Sequence, residues 1–128
     1  MFSLCKIMVI LAILSGTCLP TYASAPSAQQ PTLKEQAQEL SIYYHTDFKT
    51  INKVIICESN WDSASTGDHG KANGISQFHK DTFIEWSKQM GETLDYNSSY
   101  DQLKVMNWAF SKGNSYRRAW TCYNKLIK

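Results

Sequence analysis

Past position 32, apolar residues recur at helical spacing. Leu33, Ala37, Leu40 and Tyr44 fall at i, i+4, i+7 and i+11, one face of a helix. Thr32 with Glu35 three residues on is a capping box that opens it. Phe48, Ile51 and Ile55 mark a second helix, with Asp47 as its cap. Over 60–77 the periodicity stops, and Gly67, Gly70 and Gly74 stand among Asp, Asn and Ser. That composition predicts turns and a short two-stranded β element. A third helix is predicted from Asp81, carrying Phe83, Ile84 and Trp86 and ending before Gly91. Ser98 or Ser99 caps a fourth, on which Leu103, Met106 and Phe110 align, until Gly113-Asn114 breaks it. The last helix carries Tyr116, Ala119, Trp120, Tyr123 and Leu126 or Ile127. The pattern predicts an α+β, mainly α domain: about five short helices with a glycine-rich loop or small β element beside the second.

The chain has 128 residues, and its first 23 follow a different rule. One cation, Lys6, precedes the apolar run Ile7 to Leu14, and small residues follow, with Thr21-Tyr22-Ala23 as the cleavage site. This is the order of a secretory signal peptide. The apolar run is too short for a spanning helix, which needs about 20 residues. Residues 24–31 are small, polar and proline-containing, a flexible leader, which leaves 32–128 as one domain. The expected protein is exported, periplasmic or extracellular, and monomeric.

Two of the four cysteines, Cys5 and Cys18, leave with the signal peptide. Cys57 and Cys122 remain in an oxidising compartment, where a disulfide is the expected state. That pairing removes the sulfurs from a zinc site with His69 and His79, so neither metal nor cofactor is expected. Of 13 basic and 11 acidic residues, cleavage removes only Lys6, leaving 12 against 11. Such a balance gives no nucleic-acid footprint. Six cations and no acid follow Asp101, either a solvated basic face or an attraction toward an anionic polymer.

Glu58 is the residue whose position asks for chemistry. It lies three residues beyond Ile55 and four beyond Val54, so helical phase puts a carboxylate on or beside the buried stripe. Apolar surroundings disfavour a charged carboxylate, which suits general acid catalysis. A structural ion pair with a lysine is the competing account of any such glutamate.

The surroundings favour catalysis. Cys57-Glu58-Ser59, followed sixteen residues after the acid by Gly74-Ile75-Ser76-Gln77-Phe78, resembles the catalytic core of the lytic transglycosylase and resuscitation-promoting-factor group. Ala72-Asn73-Gly74, Thr82-Phe83 and Trp120-Thr121-Cys122 extend the resemblance over 51–123. It implies a lysozyme-like fold and peptidoglycan glycan strands as substrate, with Glu58 as the single acid/base and a 1,6-anhydro product. It also implies Ser59, Gly74, Ser76, Gln77 and Phe78 as groove residues, and a disulfide between the cysteine beside the acid and one near the last helix. Small domains of this group serve a secretion, conjugation or pilus apparatus. The chain lacks the group's Ala-Tyr-Asn motif, and Tyr116 is the candidate for the tyrosine near the acid. Trp61, Phe78, Trp108 and Tyr116 are candidates for stacking on sugar rings, while Trp86 and Trp120 are assigned to the core. Asp68 is either a second acid for a hydrolytic muramidase or a turn residue bonding its own backbone. A wall-binding or secretion-apparatus component without catalysis is the remaining alternative.

Overall fold

The computed structural model describes residues 29–128; the expected signal peptide and most of the expected leader lie outside them. Helix α1, Leu33–Tyr43, starts from the capping box: Glu35 N–H donates to the Thr32 hydroxyl, and the Glu35 carboxylate accepts from Thr32 N–H. Helix α2, Phe48–Glu58, is capped by Asp47, whose carboxylate accepts from Lys49 N–H and Thr50 N–H. Three short strands follow, β1 (Thr66–Gly67), β2 (Ala72–Asn73) and β3 (Phe78–His79), in an antiparallel sheet of order β1-β2-β3. A single 3₁₀ turn, Asp68–Gly70, joins the first two. Helices α3 (Lys80–Gln89), α4 (Ser99–Ser111), α5 (Asn114–Arg117) and α6 (Thr121–Leu126) complete the described residues. The domain is mainly helical, with one small sheet.

Helix α4 is the centre. Every residue of it from Val105 to Phe110 is buried, and it packs on α1, α3 and α5. Its one fully buried amide, Asn107, is kept by partners: Oδ1 accepts from the Ser41 and Thr46 hydroxyls, and Nδ2 donates to Leu103 C=O. A buried polar group left unpaired costs about 1–3 kcal/mol, so this network fixes the turn between α1 and α2 against α4. Ile51, Val54 and Ile55 of α2 complete the core from the other side.

Three features differ from the sequence expectation. The β element has three strands, because the chain doubles back twice, at Asp68–Gly70 and again at Gly74. Ile84, Leu126 and Ile127 are exposed instead of buried. And the last helix is two helices. Trp120 is extended (φ −92°, ψ 122°), so α5 ends before it and α6 begins after it. Continuous spacing of Tyr116, Ala119, Trp120 and Tyr123 concealed that break. Cys57 and Cys122 are joined as a disulfide between α2 and α6, as compartment and count predicted. No helix among the described residues is long and apolar enough to cross a membrane.

Candidate active site

The break before α6 determines what surrounds Glu58. In a continuous helix the Cys122 N–H would bond four residues back. Here it is the second N–H of α6, Trp120 supplies no side-chain cap, and the donor turns to Glu58 Oε1 at 3.0 Å. A carboxylate at the C-terminal end of α2 sits against the negative end of that helix's dipole. The N-terminus of α6 offsets this by presenting a positive end to the same group. Glu58 thus does for α6, from 64 residues away, what a capping serine does locally. The adjacent disulfide ties the same two helix ends covalently. Glu58 is half-buried, and among the described residues no hydrogen bond engages Oε2.

The carboxylate faces a cleft of roughly 630 Å³, lined also by Asp68, Gln77, Phe78, His79, Thr82 and Trp120. That volume lies inside the range of about 300–1,000 Å³ usual for small-ligand sites. Gln77 and Phe78, at the end of the segment 74–78, form part of the wall together with residues of the strands, and the rest of that segment lies behind it. The segment's backbone is held by side chains from four directions. Ser59, just past α2, donates its hydroxyl to Ile75 C=O at 2.6 Å. Gln102 of α4 accepts from Ser76 N–H at 3.1 Å. The Tyr96 hydroxyl donates to Phe78 C=O at 2.7 Å, and the Trp120 indole N–H donates to Ser76 C=O at 2.8 Å. Gln77 Nε2 completes the set, donating to Ser65 C=O and Gly74 C=O.

The predicted site residues therefore fall into two groups. Glu58, Asp68, Gln77 and Phe78 line the cleft together. Ser59, Gly74, Ser76 and Tyr116 do not. Ser76 is fully buried behind the wall, with its hydroxyl unpartnered among the described residues. Ser59 is buried at the α2 end, spending its hydroxyl on the backbone of the wall. Gly74 has φ +78°, and a Cβ there would lie 2.3 Å from Gln102 Nε2, so glycine is what lets α4 approach the turn. Tyr116 packs on Trp86 and Trp108 and donates its hydroxyl to Gln89, away from the acid.

Aromatic assignments shift in the same way. Trp108 belongs to the core, and Trp61 donates its indole N–H to Asn52 outside the cleft. Trp120, assigned to the core by its spacing, also lines the cleft. Sequence reasoning did not name His79, Thr82, Ala119 or Thr121 as site residues, although the Thr82-Phe83 and Trp120-Thr121-Cys122 motifs contained two of them.

Asp68 does not bond its own backbone through its side chain. Its carboxylate meets His79 Nε2 at 3.0 Å. Some backbone strain lies at this site. Of the six non-glycine residues with positive φ among the described residues, Asp68 and Gln77 line the cleft, and His69 follows Asp68 in the turn. Each such conformation costs on the order of 1–3 kcal/mol and persists where the surrounding contacts over-determine it, commonly at functional sites.

Comparison of the chain with protein-family models, with curated proteins and with solved structures returned no match.

Proposed function

We propose that the protein is an exported lytic transglycosylase of lysozyme-like fold, cleaving the β-1,4 bond between N-acetylmuramic acid and N-acetylglucosamine in peptidoglycan. One observation carries this: the Glu58 carboxylate is fixed through one oxygen and open at the other, in a sugar-sized cleft that Gln77 and Phe78 of the Gly-Ile-Ser-Gln-Phe segment line with it. A general acid must be held within hydrogen-bond reach of the atom it protonates. The bond from Cys122 N–H restricts the carboxylate without occupying the oxygen that would meet substrate. Glu58 gives its proton to the leaving oxygen as the muramyl C1–O bond breaks. As carboxylate it then takes the proton of the muramyl 6-hydroxyl, whose oxygen closes on C1 to form the 1,6-anhydro ring. Gln77 and Phe78 present an amide and an apolar edge to the sugar.

Mass spectrometry of digested sacculi is expected to show anhydro-muramyl ends, and ordinary reducing ends alone would refute the transglycosylase reading. Glu58→Gln is expected to abolish release while preserving the fold, because the glutamine carbonyl oxygen still accepts from Cys122 N–H. Binding to sacculi without release of any fragment would establish the non-catalytic alternative instead. Hydrolysis of the same bond is the second reading, favoured by Asp68 in the wall of the same cleft.

A further inference from the structure

Asp68 and His79 come together because of the sheet. Gly67 pairs with Ala72 and Ala72 with His79, so one rung crosses all three strands, and Asp68 is the next residue after its first member. The left-handed backbone at Asp68 and His69 (φ 48° and 55°) turns the chain there, and the Asp68 carboxylate reaches the ring across β2. Both side chains are about half exposed, and both line the cleft that holds Glu58. A neutral imidazole donates through one nitrogen and accepts through the other. Nε2 lies 3.0 Å from the Asp68 carboxylate as an ion-pair contact, which leaves Nδ1 as the accepting nitrogen, and no hydrogen bond among the described residues engages it. A carboxylate in that position fixes the tautomer and stabilises the imidazolium that forms when the ring takes a proton.

We propose that His79, oriented by Asp68, is a general base for water, so that the cleft yields a hydrolytic product beside the anhydro one. This inference rests on the glycan-cleavage reading above, and it assigns the base to the ring and not to the Asp68 carboxylate. In the step, Glu58 protonates the leaving oxygen of N-acetylglucosamine as the muramyl C1–O bond breaks. A water oxygen bonds C1, and the proton it sheds goes to His79 Nδ1. The products are a reducing muramyl end and a free 4-hydroxyl; Glu58 is left as carboxylate and His79 as imidazolium, and solvent restores both.

Digestion of sacculi in H₂¹⁸O separates the two routes, because only hydrolysis puts the label on the new end. Wild-type protein is expected to give labelled reducing ends together with unlabelled anhydro ends. His79→Ala is expected to lower the ratio of labelled to anhydro ends by about a hundredfold, the lower bound of a general base's contribution. Asp68→Asn lowers it less, since the ring remains but loses its orienting partner. Added imidazole is expected to restore labelled ends in His79→Ala, because the site is open to solvent. Anhydro ends alone from wild type would overturn this proposal and leave the transglycosylase reading standing. An unchanged ratio in His79→Ala would also overturn it, as would a loss that imidazole does not reverse and that accompanies a lowered Tm. If wild type releases no ends of either kind, both readings fall together.

Discussion

At the scale of single residues, substitution separates the capping of α6 by Glu58 from the acid role proposed for it. Glu58→Gln retains an acceptor for Cys122 N–H, whereas Glu58→Ala leaves the first turn of α6 uncapped. The alanine variant is therefore expected to be less stable than the glutamine variant by about 1 kcal/mol, read as a difference in urea midpoints, and under the proposed function neither is expected to release fragments. Gly74→Ala tests the turn behind the wall. It forces a side chain into the left-handed region and against Gln102, and a loss of roughly 1–3 kcal/mol is expected in the same assay. Glu58 was legible in the sequence because helical phase is a local property: three residues past a buried isoleucine is the same face whatever the rest of the chain does. Ser76 was not. A polar residue in an apolar stretch reads as a ligand contact, but here the backbone of Ser76 is what matters, bonded by Gln102 and Trp120 from distant parts of the chain.

Among the elements, α2 shows how the acid is carried. Its start is set by Asp47, whose carboxyl is held below the ordinary aspartate value chiefly by the Thr50 hydroxyl, against the opposing effect of burial, with further lowering by the Thr50 and Lys49 N–H groups and the Lys49 charge. A pKa lowered by folding contributes stability above the unfolded value and loses it as pH falls through the folded one. Asp47→Ala is expected to cost about 1 kcal/mol near neutrality. The gap between variant and wild type should close as pH drops below about 4, the unfolded aspartate value. Denaturant titrations across that window check it; a gap constant with pH would show that the cap contributes nothing through its charge. Helices α1 to α4 were legible because apolar spacing is local, as are the capping side chains of α1, α2 and α4. The division between α5 and α6 was not, since apolar spacing runs through it without interruption. It exists because the Trp120 indole reaches Ser76 and Glu58 accepts from Cys122, two contacts that no window of sequence contains.

For the whole molecule, the disulfide is the largest single constraint on the unfolded chain. Closing a loop over a separation of 65 residues corresponds to roughly 4 kcal/mol in the chain-entropy model. Cys57→Ser with Cys122→Ser is expected to lose stability on that scale, and thiol labelling of the native protein should find neither sulfur reactive. The pairing of Asp68 with His79 was illegible for a reason of the same scale: it depends on the register of two strand pairs, which no single segment specifies. The Glu58–Cys122 bond has a temporal meaning as well. A chain that emerges amino-terminus first presents its carboxylate long before residues 119–122 arrive to wall the cleft and hold it. Until then the cleft is unassembled, so under the proposed function a nascent chain carries the carboxylate without a site around it.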